Sequence, residues 1–233
     1  MSWLEEHRSD DLLPELNGVE TCLTLSEDYG ALFWGRKLME REKVRAILRM
    51  LNEEQIRYAI IGAVALGYHT APRATADIDL LVTLEDVPRL QQLFQQYYLR
   101  GTAAVMVFDV EGTRIDVLPA DLRLKRAAVD NATDVFVYDI AAKVVSVRDL
   151  ILLKLLAVPD RPDPVKAMRD RTDVAELLRD NADKISREDI RYIGNSLLRL
   201  AFTPEESRKY RELIRWLNET LDLLGMTDRQ YQD

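Results

Sequence analysis

The segment that decides the fold runs from residue 73 to residue 82 and reads RATADIDLLV. Its second half is apolar and β-prone, which predicts a strand over residues 77–82. Because side chains alternate between the two faces of a strand, Asp77 and Asp79 share one face, about 6–7 Å apart along the strand axis. The opposite face, toward a core, carries the apolar side chains of Ile78, Leu80 and Val82.

Two carboxylates this close together repel each other, and burying them without compensation is costly. A bound divalent cation relieves that cost, and hard cations such as Mg²⁺ prefer carboxylate oxygens as ligands. A pair of aspartates at the rim of a strand also occurs as an ordinary solvated face. The motif alone therefore leaves both interpretations open.

A third carboxylate stands in the segment RIDVL, residues 114–118. Asp116 is its one acid, and we expect Ile115 and Val117 to face inward. If this strand pairs beside residues 77–82, Asp116 lies next to the first two carboxylates. Three convergent carboxylates can hold two metal ions, one for a triphosphate and one that lowers the pKa of an attacking hydroxyl.

The segment IIGAVA, residues 60–65, has the pattern of a strand, a glycine and a helix. A helix N-terminus offers free N–H groups and the positive end of a dipole, which suit a phosphate group. Gly62 lets the backbone come close to such a group. The same pattern is also common as a plain connection, so it supports a phosphate site only in combination with the carboxylates.

Apolar periodicity predicts a mixed front half and an all-helical back half. We expect helices over residues 38–51, 63–68, 85–99, 149–157, 165–178, 187–200 and 204–224. We expect strands over residues 58–61, 77–82, 103–110, 113–118, 135–138 and 144–147. The prediction is an α+β fold: a small mixed sheet flanked by helices and followed by an α-helical C-terminal part. The expected division is an N-terminal extension (residues 1–37), a core (38–146) and the helical part (147–233).

Composition excludes several classes of protein. The chain has 233 residues, of which 47% are apolar, and a formal net charge of −8, which argues against general electrostatic binding to nucleic acid. The single cysteine, Cys22, excludes an intrachain disulfide, and two histidines give poor support for a zinc site or a Ser-His-Asp hydrolase. No segment has the length of a membrane span or the pattern of a secretory signal, so we expect a cytoplasmic protein without a membrane partner.

Taken together, these segments resemble the nucleotidyltransferases of the DNA-polymerase-β-like superfamily. Those enzymes have Gly-Ser or Gly-Gly, then Arg-x-Ser/Thr-x-Asp-Ile-Asp, and later a third Asp on a strand. The chain is most similar to the branch that contains abortive-infection type toxins, in which a lysine-bearing helix and an Asp-rich helix follow the core. Those two helices match VRDLILLKLLA (residues 147–157) and RDRTDVAEL (residues 169–177), and the resemblance spans about residues 40–180.

The resemblance implies roles for individual residues. Asp77, Asp79 and Asp116 would bind Mg²⁺ or Mn²⁺, and Asp116 would also help to deprotonate the acceptor hydroxyl. The triphosphate would be seated by the turn at Gly62 and Ala63, and Arg73 would pair with a carboxylate or a phosphate. In the C-terminal helices, the matching active-site positions are Lys154, which would neutralise charge on leaving pyrophosphate, and Asp173, with Asp170 as a competing match.

For two of these roles, the residues alone also allow an ordinary structural explanation. Lys154 lies among leucines and must reach solvent or meet an anion. Asp170 and Asp173, three residues apart on a helix, also fit simple partners for arginines such as Arg169. One position departs from the family pattern, because Ala63 stands where a serine hydroxyl usually binds the triphosphate.

Two functions follow. The first is an active enzyme that transfers a nucleoside monophosphate from a nucleoside triphosphate to a hydroxyl, with tRNA or protein favoured over a small molecule as acceptor, and with an antitoxin as protein partner if the chain is a toxin. The second is an inactive module that keeps the fold for binding or regulation. Basic side chains around residues 41–49 and 208–215 would guide an RNA or form ordinary solvated helix faces.

Overall fold

A computed structural model describes residues 16–34 and 39–232, and within them the chain forms one mixed seven-stranded sheet covered by helices. The strands are β1 (Tyr58–Ile61), β2 (Asp77–Thr83), β3 (Tyr98–Gly101), β4 (Met106–Val110), β5 (Thr113–Ala120), β6 (Thr133–Val137) and β7 (Ile140–Val144). The helices are α1 (Gly18–Trp34), α2 (Arg41–Glu53), α3 (Gly62–His69), α4 (Val87–Leu93), α5 (Arg123–Asp130), α6 (Val147–Ala157), α7 (Pro164–Asp180), α8 (Arg187–Arg199) and α9 (Pro204–Leu223).

The strand order across the sheet is β3-β4-β5-β2-β1-β7-β6. The β2–β5 and β1–β7 pairs are parallel, and the other pairs are antiparallel. The last four helices, α6 to α9, follow the final strand. This confirms the predicted α+β class, with a mixed sheet and an α-helical C-terminal part.

The central strands are buried because apolar side chains line them. Ile78, Leu80 and Val82 are 3% exposed or less, as alternation along β2 predicts, and Ile115 and Val117 on β5 are fully buried. Leu81 lies on the carboxylate face and is also fully buried, because α5 packs over β2 and β5 at that end. The sheet therefore leaves only the Asp77 end of β2 open on that face.

The N-terminal extension contains a helix of 17 residues, α1. Helix α1 packs on α3, and Val19, Cys22 and Leu23 join the hydrophobic core. The two helices are very close at Gly18, where an added Cβ would lie 2.4 Å from the carbonyl oxygen of Gly67. Residues 1–15 and 35–38, including the predicted helix start at residue 38, lie outside the described residues.

Several boundary predictions are wrong. The helix expected over residues 85–99 ends at Leu93, a 3-10 turn covers Gln95–Tyr97, and residues 98–101 form β3. Pairing with β4 makes residues 98–101 a strand. Tyr98 stands opposite Phe108, and the centroids of their two rings lie 5.7 Å apart. Such a long-range pairing leaves no trace in local periodicity.

The strands next to this region also differ from the expectation. β4 begins at Met106 rather than at residue 103, because the Thr102 hydroxyl accepts hydrogen bonds from the backbone of a turn before it. β4 and β5 form a hairpin across Glu111 and Gly112, whose φ values of 53° and 89° are the positive values of a primed turn.

The prediction of a strand over residues 144–147 is wrong, because β7 ends at Val144. Ser146 caps α6 by accepting a hydrogen bond from the Asp149 N–H, so the helix begins at Val147. Helix α5, for which the sequence pattern gave no prediction, fills the link between β5 and β6.

Candidate active site

The register between β2 and β5 brings the three predicted carboxylates together. In this parallel pair Asp79 stands opposite Asp116, and Asp77 stands opposite Arg114. Residues directly opposite each other share a face, and adjacent strands lie about 4.8 Å apart. Asp77, Asp79, Arg114 and Asp116 therefore form one charged patch on the open end of the sheet.

Asp79 is the innermost of the three carboxylates. Burial, followed by the negative charges of Asp77 and Asp116, raises its pKa to about 7, and the nearby cations Lys154 and Arg114 offset only part of that rise. The carboxyl group is thus in an environment that disfavours its own charge. Such an environment is relieved by an added cation or by a proton.

Gly62, at the start of α3, lies directly against Asp79. Its φ is +65°, and an added Cβ would lie 1.9 Å from the Asp79 Oδ2 atom. Both the backbone conformation and the close approach require glycine. The N-terminus of α3, with Ala63 as its next residue and no side-chain cap, therefore faces the carboxylates.

Arg114 is the main site residue that the sequence prediction missed. Its Nε and Nη2 atoms donate to the two oxygens of Asp116, both at 2.8 Å, and its Nε lies 4.0 Å from Asp77 Oδ2. Thr75 holds the other oxygen of Asp77 through a hydrogen bond of 3.0 Å. The signal for Arg114 was present, because a residue two positions before Asp116 on a strand must share its face.

These contacts bear on whether a metal ion fits. Carboxylate oxygens are the donors that Mg²⁺ and Mn²⁺ prefer. As the side chains stand, however, no three Asp, Glu, His or Cys residues in the described part of the chain are grouped closely enough to hold a metal ion. A cation that bound all three aspartates would require Arg114 to release at least one oxygen of Asp116.

A buried ion network joins α6 and α7 beside the carboxylates. Lys154 Nζ lies 2.5 Å from Asp173 Oδ2 and 3.1 Å from Asp170 Oδ1. Arg73 pairs with Asp173 at 3.0 Å, and Arg161 pairs with Asp170 at 2.8 Å. Lys154 therefore meets anions rather than solvent. Both competing helix acids belong to the network, and their arginine partners are Arg73 and Arg161 rather than Arg169.

All the predicted site residues line one cavity of about 590 Å³. Five carboxylates face it, but seven cationic side chains do as well: Arg73, Arg114, Lys125, Lys154, Arg161, Lys166 and Arg169. The cavity is thus positive on balance, although the whole chain has a net charge of −8. A positive cavity with a helix N-terminus suits a polyanion.

The cysteine, one histidine and two basic residues of α2 interact with neighbouring groups of the fold. The Cys22 thiol donates to the Arg73 carbonyl at 2.8 Å, and the His69 Nε2 atom lies 2.7 Å from the Val145 carbonyl oxygen. In the basic segment of α2, Lys43 and Arg45 form ion pairs with Glu40 and Glu42. None of the helices formed by the described residues is both long enough and apolar enough to cross a membrane.

The arrangement of the mixed sheet and its helices is similar to that of a solved nucleotidyltransferase-like structure. The solved structure of an antigenic nucleotidyltransferase-like protein from Paracoccidioides brasiliensis aligns over 83% of this chain and 95% of that chain, with a TM-score of 0.54 and 15% identity. At that identity, the likeness establishes the fold alone.

Two further solved structures align less well. The antibiotic-resistance factor ANT(2'')-Ia covers 80% of this chain and 96% of its own at 14% identity and a TM-score of 0.45. The lincosamide antibiotic adenylyltransferase LnuA, in its lincomycin-bound form, covers 58% of this chain and 94% of its own at 14% identity and a TM-score of 0.40. No family model and no curated protein matches the sequence.

Proposed function

We propose that this protein transfers a nucleoside monophosphate from a nucleoside triphosphate to a hydroxyl group, releases pyrophosphate, and depends on Mg²⁺ or Mn²⁺. The observation that carries the proposal is the β2–β5 register, which gathers Asp77, Asp79 and Asp116 on one face. They face a cavity that is positive on balance and that a helix N-terminus enters. Together these supply oxygen donors for a metal and positive charge for a triphosphate.

The three aspartates would hold the metal, for which they offer the preferred donor atoms. When bound, a divalent cation would neutralise phosphate charge and lower the pKa of the attacking hydroxyl. The raised pKa of Asp79 supports this assignment, because a carboxyl group among like charges gains most from an added cation. Arg114, which already pairs with Asp116, is the side chain that must yield.

The chain's own residues supply binding and positioning. The N–H groups at Gly62 and Ala63 seat the triphosphate, and since Ala63 has no hydroxyl, no side-chain hydrogen bond assists them at that position. Lys154 and Arg73 neutralise the leaving pyrophosphate. The acceptor oxygen attacks the α-phosphorus, the bond from that phosphorus to the oxygen bridging to the β-phosphorus breaks, and the acceptor proton passes to Asp116.

A label-transfer assay tests the proposal. The protein is incubated with each α-labelled nucleoside triphosphate, Mg²⁺, and bulk RNA or cell extract. We expect a labelled product whose formation falls on the order of 100-fold or more in Asp116→Asn. The matched control Asp183→Asn, an exposed aspartate outside the cavity, should keep full activity. Wild-type activity that persists in EDTA would contradict metal dependence.

The acceptor and the toxin role are finer parts of the same proposal. Following the sequence resemblance, we propose a tRNA or a protein as the acceptor, and an antitoxin as partner. Treating the labelled product with nuclease or with protease distinguishes the two acceptors. Label that survives both treatments and migrates as a small molecule would reject both.

A second candidate is a binding module without catalysis. Two observations favour it: Ala63 lacks the usual hydroxyl, and Arg114 satisfies both oxygens of Asp116. This alternative predicts nucleotide binding that is indifferent to Mg²⁺ and no label transfer to any acceptor. Triphosphate binding that tightens with Mg²⁺, combined with label transfer, rejects it.

A further inference from the structure

The segment between α3 and β2, residues 70–76, has no regular secondary structure, although it leads directly into the carboxylate strand. Backbone groups in such a segment take hydrogen-bond partners from elsewhere in the fold. Helix α1 of the N-terminal extension supplies two of them. The Cys22 thiol donates to the Arg73 carbonyl at 2.8 Å, and the Ser26 hydroxyl oxygen accepts from the Thr75 N–H at 2.9 Å. Helix α1 therefore holds this segment at two points.

Ser26 is a polar residue in the buried face of α1, where it is 1% exposed. Its hydroxyl donates to the Cys22 carbonyl at 2.7 Å and accepts from the Thr75 N–H, so it is used both as donor and as acceptor. A serine bonded to the carbonyl four residues back slightly destabilises a helix, and alanine is the better helix former. The hydroxyl at position 26 is therefore explained by its contact with Thr75 and not by the helix that carries it.

Thr75 connects this contact to the carboxylates. Its side chain lines the carboxylate cavity, and its hydroxyl donates to the Asp77 Oδ1 atom at 3.0 Å. The other oxygen of Asp77 lies 4.0 Å from the Arg114 Nε atom, which is too far for a hydrogen bond. The hydrogen bond from Thr75 is thus the closer constraint on the Asp77 carboxylate. Because Ser26 fixes the backbone of Thr75, it also fixes where that donor stands.

We propose that Ser26 is a positioning residue that, through Thr75, orients the Asp77 carboxylate and thereby raises the affinity of the site for a divalent cation. The inference rests on the proposed function, in which Asp77 is a metal ligand. Carboxylates that bind metal ions are themselves held by hydrogen bonds, and loss of those outer partners weakens metal binding. Helix α1 is then part of the active site, although it lies outside the core over residues 38–146 that the sequence predicts.

Mn²⁺ binding to the full-length protein, followed by electron paramagnetic resonance without nucleotide, tests the proposal. Thr75→Val removes the hydroxyl at nearly constant volume and should raise the Kd for Mn²⁺ about 10-fold. Ser26→Ala should raise it about 3- to 10-fold, as the loss of one neutral hydrogen bond implies. The matched control is Thr21→Val. The Thr21 hydroxyl also bonds to the carbonyl four residues back on α1, that of Asn17 at 3.0 Å, but it lies on another side of the helix. This control should keep the wild-type Kd.

A double variant separates positioning from a general loss of stability. If Ser26 acts through Thr75, Ser26→Ala should raise the Kd no further in the Thr75→Val background, while it still lowers the urea midpoint. In metal-free protein, Ser26→Ala should also speed hydrogen exchange at the Thr75 amide, and Thr21→Val should not. A wild-type Kd in Ser26→Ala, or additive effects in the double variant, would overturn this inference and leave the proposed function intact. Wild-type protein that binds no Mn²⁺ would overturn both.

Discussion

Asp79 carries most of the electrostatic cost of the candidate active site. Its pKa is raised from the ordinary value of 3.8 to about 7, so the folded chain binds this proton more tightly than the unfolded chain does. By linkage, the contribution of Asp79 to stability is full below pH 4 and is lost as pH rises toward 7. A neutral side chain of the same shape escapes this loss.

We therefore expect Asp79→Asn to raise the free energy of unfolding at pH 8 in EDTA by on the order of 1–2 kcal/mol, discounted for its partial exposure. The gain should disappear at pH 4, and it should shrink at pH 8 when Mg²⁺ is added. Urea denaturation at both pH values measures this, with Asp183→Asn as control. A variant that is no more stable than wild type at pH 8 would show that the charge on Asp79 does not destabilise the folded protein.

Gly62 provides a test of the contact between α3 and Asp79. Gly62→Ala must place a Cβ at positive φ and also 1.9 Å from Asp79 Oδ2. Gly225 has a similar φ of +73° but nothing within 4 Å of an added Cβ. Gly225→Ala should therefore cost about 1 kcal/mol from the backbone alone. Gly62→Ala should cost at least about 2 kcal/mol more and abolish label transfer. Equal losses in denaturation would mean that α3 moves freely away from Asp79.

The site residues differ in how far the sequence alone revealed them. Asp77, Asp79 and Asp116 were accessible because a period of two fixes their faces once the strands are recognised. Arg114 obeys the same rule, but a pattern defined by acidic residues does not include an arginine. The α7 cations Lys166 and Arg169 were not accessible, since their position depends on how α7 rotates against α6.

At the scale of elements, apolar periodicity predicted the C-terminal helices within a few residues, and the structure shows that their ends also carry local signals. Ser186 and Thr203 each form a capping box, and Pro164 and Pro204 occupy first helical positions. β3 has no such signal. Its four residues are all exposed, so no apolar alternation marks them, and only pairing with β4 makes them a strand.

The contact between α6 and α7 depends on charges rather than on apolar packing alone. Lys154 is 13% exposed and is shared by Asp170 and Asp173, which are 6% and 1% exposed. Removing the lysine leaves two buried carboxylates without their common partner. We expect Lys154→Met to cost about 3 kcal/mol of stability.

A double-mutant cycle isolates this interaction. Because Asp173→Asn relieves part of the uncompensated charge, the cycle with Lys154→Met should give a coupling energy above about 1.5 kcal/mol. The control cycle is Lys143 with Asp134, an ion pair 45% and 85% exposed, for which we expect less than about 1 kcal/mol. Similar coupling energies in the two cycles would mean that the Lys154 network is as solvated as a surface ion pair and does not stabilise the contact between α6 and α7.

At the scale of the whole molecule, charge is segregated. The chain is acidic, yet the carboxylate cavity has more cations than anions at its wall. The net charge argues against general electrostatic binding to nucleic acid, but it does not describe the field that a bound ligand meets, because that field is set by the side chains around the cleft. Segregation of this kind depends on which helix faces reach the cavity, and composition carries no information about that.

Lys166 and Arg169 allow this segregation to be tested without touching the carboxylates. Both side chains line the cavity, so their charge acts on a ligand there. Replacing both with glutamate reverses the sign of the cavity. We expect the Kd for a nucleoside triphosphate with Mg²⁺ to rise by about 10-fold or more at low salt, and the effect to shrink as salt is added. Arg208→Glu with Lys209→Glu, on exposed positions of α9 outside the cavity, makes the same change in net charge. If that control weakens binding equally, the affinity for the nucleotide depends on the net charge of the molecule and not on the local field of the cavity.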